Sequence, residues 1–249
     1  MKLCILFNFT GQKFLVIGGG GHSNAIEIID VKNPNYGSSC QLPDYPIDKM
    51  EYGAGGIIND KKAIVCGGYN WINFERNKEC FILGPEKTWT KIQSLKRPRS
   101  HMSTGNIVIN SKLWISGGSD VTTYLESTDS TELVSEDQTL DSIDMPLTVS
   151  SHCSVFVERT RIMTIGGYDN IKTKRNETHV MDTTTNIWTP GPELNNARHF
   201  HGCAKVTIGD KDVVVVTGGL GALNSVEYLE LTDMDQGWKS GNFTSLINF

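Results

Sequence analysis

A chain of 249 residues with a net charge of −5 does not offer the broad basic surface that nucleic-acid binding normally demands. Hydrophobic content of 38% with 20% charged residues excludes a disordered or fibrous protein, and no run approaches the roughly eighteen apolar residues of a membrane-spanning helix. Six cysteines (Cys4, Cys40, Cys66, Cys80, Cys153, Cys203) are too sparse for a disulfide scaffold and form no Cys-x-x-Cys metal pair.

The opening Met1-Lys-Leu-Cys-Ile-Leu-Phe looks like the start of a secretory signal, but its apolar stretch is short and no small-residue cleavage site follows, so it reads as a strand. The compartment stays open: a missing signal peptide points to the cytoplasm, and an extracellular place is the alternative if the chain is a fragment of a secreted protein. Further along, glycine pairs occur at Gly18-Gly19, Gly67-Gly68, Gly117-Gly118, Gly166-Gly167 and Gly218-Gly219, at intervals of 49, 50, 49 and 52 residues. Each follows an apolar run: Phe14-Leu-Val-Ile, Ala63-Ile-Val-Cys, Leu113-Trp-Ile-Ser, Ile162-Met-Thr-Ile and Val213-Val-Val-Val-Thr. Such β-branched, turn-bounded stretches predict buried strands. An upstream partner, such as Cys153-Ser-Val-Phe-Val or Ala204-Lys-Val-Thr-Ile, makes each a hairpin. Trp89 and Trp188 stand twenty-one residues after the second glycine of their units, and Trp238 nineteen after its own.

Four short strands per unit of about fifty residues, with a glycine pair after the second and a Trp in the fourth, resemble the kelch repeat, whose units form propeller blades. The resemblance spans the chain. It implies an all-β protein, a single kelch-type β-propeller domain over residues 1–249 with repeats near 1–48, 49–97, 98–147, 148–197 and 198–249. Five four-stranded blades are expected to close as a compact ring, the alternative being five blades of an incomplete six-bladed propeller. Leu140 stands near the Trp position of the third repeat and Cys40 at that of the first.

Several motifs have a milder explanation. Phe14-Leu-Val-Ile-Gly-Gly-Gly-Gly-His-Ser imitates a dinucleotide turn, but Ser23 replaces the third glycine and Pro34 cuts the following segment short, so no nucleotide or other cofactor is expected. His199, His201 and Cys203 alternate as metal ligands on one face of a strand do, yet His101, His152 and His201 read as one repeated position, a ring of histidines at the channel mouth, and no metal site is assigned. Cys4, Cys153 and Cys203 read as small buried residues of the inner strands. Cys66 and Cys80 fall where two strands pair, and a disulfide between them is expected in an oxidising compartment. The phrase Cys40-Gln-Leu-Pro-Asp-Tyr-Pro, with Val65-Cys66-Gly-Gly-Tyr and Cys80, is similar to invertebrate kelch-repeat proteins associated with secretion.

The resemblance also implies that the loops joining strands two and three share one face with the loops between blades. There the expected partner-binding residues are the aromatic and guanidinium groups Tyr69, Trp71, Phe74 and Arg76. With them stand the basic residues Lys96, Arg97, Arg99, Lys172, Lys174, Arg175 and Arg198, and the histidines His101, His152 and His201. An acidic protein or peptide ligand suits that set. Copper-radical oxidases and sialic-acid mutarotases share the kelch fold, but neither a copper ligand set nor paired carboxylates at a recognisable spacing is present, and no catalytic residue is assigned. The expectation is a non-enzymatic interaction scaffold, with an extracellular glycan or protein recognition module and a mutarotase-like sugar-active enzyme as alternatives.

Overall fold

The computed structural model describes residues 5–8, 13–17, 24–30, 32, 42–59, 61–105, 107–120 and 126–241. The first glycine pair, Cys4 and Cys40 lie outside them. The described chain is all-β, apart from a 3-10 turn at Met234–Gln236, and folds into five antiparallel sheets taken in chain order, consistent with a β-propeller. Sheet one holds β1 (Ile5–Asn8), β2 (Lys13–Ile17) and β3 (Ile26–Asp30), three strands among the described residues where four are expected. Sheet two holds β4 (Met50–Glu51), β5 (Ala54–Ile58), β6 (Lys62–Asn70), β7 (Glu75–Leu83) and β8 (Trp89–Ile92), with both β4 and β5 pairing β6. Sheet three runs β9 (Ile107–Ile109), β10 (Lys112–Ser116), β11 (Thr131–Val134) and β12 (Thr139–Asp141). Sheet four runs β13 (Cys153–Glu158), β14 (Arg161–Tyr168), β15 (Lys174–Asp182) and β16 (Ile187–Pro190). Sheet five runs β17 (Gly202–Ile208), β18 (Lys211–Thr217), β19 (Val226–Glu230) and β20 (Lys239–Gly241).

The unbroken apolar runs are explained by how the sheets stack. Alternate residues of a strand point to opposite faces, so a strand apolar throughout is covered on both. In β6, Ala63 and Val65 join Leu15 and Ile17 of sheet one, whereas Ile64 and Cys66 join Leu113 and Ile115 of sheet three. Sheet three meets sheet four through Trp114, Ile162 and Met181, and sheet four meets sheet five through Met163, Ile165, Val214 and Val216. The far face of sheet five differs: Val226 and Tyr228 are buried, but Ala204 and Val206 of β17 are exposed.

Hydrogen bonds between successive repeats are themselves repeated. Tyr52, His101, Ser151 and Phe200 occupy equivalent positions ahead of the inner strands, each in the left-handed region with φ of 59°, 55°, 53° and 55°. The His101 amide donates to the Tyr52 carbonyl (3.0 Å), Ser151 to His101 (2.7 Å) and Phe200 to Ser151 (2.9 Å), a backbone girdle linking four repeats. At the rim, the Trp89 indole donates to the Pro43 carbonyl (3.1 Å) and that of Trp238 to Pro192 (2.8 Å). In the third repeat, Thr139 Oγ1 donates to the Gln93 carbonyl (3.5 Å). Thr139, which pairs with Val134, is therefore the counterpart of Trp89, which pairs with Leu83. Leu140, assigned to this role from its spacing, is 41% exposed. The glycine pairs give room for these loops. Gly219 has φ +88, and a Cβ on it would lie 2.7 Å from the His199 carbonyl oxygen, a double obstacle to any other residue.

Two disulfides cross-link the fold. Cys66 and Cys80, paired across β6 and β7 with Cα atoms 4.1 Å apart, are bonded within sheet two. Cys153 and Cys203, read from the sequence as separate small core residues, are instead bonded to each other and tie β13 to β17. Their positions relative to the girdle explain the pairing. Cys153 lies two residues past Ser151 and Cys203 three past Phe200, so their side chains leave opposite faces of neighbouring strands and meet between the sheets. Ser103 and Ser154 occupy the same two positions between sheets three and four, and there Oγ donates to Oγ at 2.7 Å.

Candidate interaction face

In sheets three, four and five, the loop from the second strand to the third emerges beside the loop that enters the sheet, as the bridges Ser100–Ser119, Ser150–Tyr168 and His199–Leu220 show. The tips on this face are apolar and exposed: Ile72 (58%) and Phe74 (66%) after β6, Ile171 (75%) after β14, and Leu220 and Leu223 (65%) after β18. Sequence reasoning named only Phe74 of these. Their signal was a large apolar residue in a turn with no strand periodicity to explain it.

The tips are held rigidly. Tyr69 is buried and meets Trp71 edge-on at 4.9 Å, and Trp71 meets Phe74 at 6.5 Å. On the β14–β15 loop, buried Asp169 Oδ1 accepts the amides of Ile171 (3.1 Å) and Thr173 (2.7 Å), while Arg175 pairs with Asp169 and Glu177. That arrangement fixes Ile171 outward before any partner arrives. At the girdle, Tyr52 stacks on His101 at 4.1 Å, and Phe200 lies 5.9 Å and 5.7 Å from these two rings. His199 continues the aromatic surface toward Tyr168, 4.8 Å away. Burial, assisted by the Arg76 guanidinium, pushes His101 down to about 4. Burial likewise lowers His199, with Lys174 adding to the effect. The mouth is thus lined by uncharged rings near neutral pH.

Four of the residues expected to bind a partner are placed elsewhere. His152 and His201 are 0% and 1% exposed, one residue past the girdle, and are turned between the sheets against the glycine pairs. His152 meets Ser116 Oγ at 3.0 Å. Of these three histidines His101 alone occupies the mouth, because Ser151 and Phe200 are its true equivalents. Arg99 and Arg198 are buried in ion pairs with Glu132 (2.7 Å) and Glu227. They also donate to the Gly117 and Gly218 carbonyls and so brace the loops internally. Of the rest, Arg76 donates to Ser119 Oγ (2.8 Å), Lys96 pairs with Asp141, and Arg97 lies 3.4 Å from Asp120. Lys96, Arg97, Asp141 and Asp144 line an open cleft of about 390 Å³ whose charges are largely matched. Lys172 and Lys174 are exposed. The suggested His199, His201 and Cys203 metal trio is broken by the bond from Cys203 to Cys153.

The buried histidines give acid sensitivity a definite sign. Burial pushes His152 down to about 3, and burial with Arg198 nearby does the same to His201, against an ordinary value of 6.5. Below about pH 6.5 the unfolded chain takes up protons that the folded chain refuses, so stability held above that pH is lost progressively as pH falls toward about 3. Urea unfolding should therefore show a falling free energy from about pH 6.5 to about pH 4, and His201→Gln should flatten the slope. An unchanged slope in that variant would rule out this assignment.

No protein-family model matches the chain, and no curated protein sequence matches it.

Proposed function

We propose that the chain is a kelch-type propeller module of five blades that binds a protein or peptide partner, without catalysis, through the face bearing the strand-two to strand-three loops. The observation that carries this reading is the set of exposed apolar tips, Ile72, Phe74, Ile171, Leu220 and Leu223, standing around half-exposed aromatic rings. Large apolar side chains on ordered loops cost solvation in a free protein and are compensated when a partner covers them. The residues named earlier that fit this reading are Trp71, Phe74, Arg76, Arg97, His101, Lys172 and Lys174, with buried Tyr69 supporting Trp71 from behind. The two disulfides favour an oxidising compartment, and hence the extracellular form of this function.

A displayed protein-fragment library panned on the oxidised protein provides the test. Retained clones should lose binding, by about tenfold or more, to at least one of Ile72→Asp, Phe74→Asp and Leu223→Asp. They should keep it for Ile187→Asp, whose exposed side chain lies at the opposite end of the sheet, at the turn from β15 to β16. Clones indifferent to all three loop substitutions would place the interaction elsewhere.

A further inference from the structure

Resting on that reading, we infer that the partner docks on the fourth and fifth sheets, and that the segment it presents there is a polypeptide carrying carboxylates next to large apolar side chains. Two neighbouring tips form one surface at this place. The Lys174 stem lies over Gly221, 3.2 Å from where a Cβ on that glycine would sit, so the β14–β15 loop abuts the β18–β19 loop. His199 exchanges backbone hydrogen bonds with Leu220. The surface runs from the His199 ring at the mouth to Ile171 and Leu223 at the rim.

Its charge is unmatched. Lys96, Arg97, Arg99, Arg175 and Arg198 each face a carboxylate, whereas Lys172 and Lys174 pair with none among the described residues. Two uncompensated ammonium groups flanking Ile171 and Leu223 complement an acidic, apolar segment and repel a basic one. The chain carries 28 acidic against 23 basic residues, so a local basic site is not a by-product of overall charge. Ile171 is fixed by the Asp169 hydrogen bonds, which removes part of the ordering cost of binding.

Selection of a random twelve-residue phage peptide library on the oxidised protein tests this. Enriched peptides should place Asp or Glu beside Leu, Ile or Phe. In fluorescence polarisation they should bind K172E/K174E about tenfold more weakly than the parent, with affinity falling as salt is raised. Both lysines are exposed, so the double variant keeps its fold, which a matching urea midpoint verifies. Peptides without acids, lost with Ile72→Asp or Leu223→Asp but retained by K172E/K174E, would overturn this inference and leave the loop-face function standing. Peptides insensitive to every loop substitution would overturn both. Heparin retention abolished by K172E/K174E, with no acidic peptide enriched, would assign the site to an anionic polysaccharide. A dimer in sedimentation equilibrium that Leu223→Asp dissociates would assign it to a second copy.

Discussion

Glu227→Ala is expected to lower the unfolding free energy by about 3–5 kcal/mol, because it strands a fully buried guanidinium. Arg198 and Glu227 are both 0% exposed, and the Glu227 carboxylate also accepts the amides of Asn195 (2.6 Å) and Asn196 (3.1 Å) that enter sheet five. Removing it leaves a charge and two donors without a partner, and unfolding in urea followed by tryptophan fluorescence measures the loss. The protein itself supplies the compensating change. In sheet two, the positions equivalent to Arg198 and Glu227 hold Met50 and Phe81, both buried in one apolar cluster. The double variant R198M/E227F should therefore recover most of what Glu227→Ala loses. A double variant as weak as the single one would show that the ion pair is not exchangeable for packing.

The disulfide between sheets four and five should outweigh the one inside sheet two. Cys153 and Cys203 are 50 residues apart, against 14 for Cys66 and Cys80. Loop closure in the unfolded chain then predicts losses of about 4 kcal/mol for C153A/C203A and about 3 kcal/mol for C66A/C80A. Denaturant midpoints of the two variants, compared under oxidising conditions, should rank in that order; the reverse ranking would mean that native-state packing, rather than chain entropy, dominates. The Ser103–Ser154 contact offers a constructive version of the same test. S103C/S154C should form an additional bridge, seen by mass analysis as a free-thiol count no higher than the parent's despite two added cysteines, and should raise the midpoint.

The glycine pairs and apolar runs made the repeat legible in the sequence, because a strand covered on both faces has a signature that survives without any homologue. The Cys66–Cys80 juxtaposition was legible for the same reason, since both lie on strands whose register follows from the hairpin. Contacts between sheets were not legible. Aligning the repeats on His101, His152 and His201 shifts the phase by one residue relative to Tyr52, His101, Ser151 and Phe200, and in a strand one residue reverses the face. That single slip placed two buried histidines at the mouth. Cys153 and Cys203 are a separate case: they stand 50 residues apart where Ser151 and Phe200 stand 49, so reading them as equivalent positions hides that they leave opposite faces and can meet. Arg99 and Arg198 were misread for a different reason: a basic residue in a loop resembles a solvated charge until its glutamate, about thirty residues on, folds back beneath it. Ile171, Leu220 and Leu223 lack any periodic pattern, because each is a single apolar residue in a turn, and only the folded loops show that they stand exposed together.

The girdle and the rim hydrogen bonds share a direction. His101 reaches back to Tyr52, Ser151 to His101 and Phe200 to Ser151, as Trp89 does to Pro43 and Trp238 to Pro192. In each case the donor belongs to a later part of the chain than its acceptor. During synthesis, then, every repeat leaving the ribosome meets a finished acceptor on the repeat before it, and the protein can be assembled in the order in which it is made. The Cys153–Cys203 bond obeys the same order, closing only when the fifth sheet arrives and so serving as a chemical record that it has docked on the fourth.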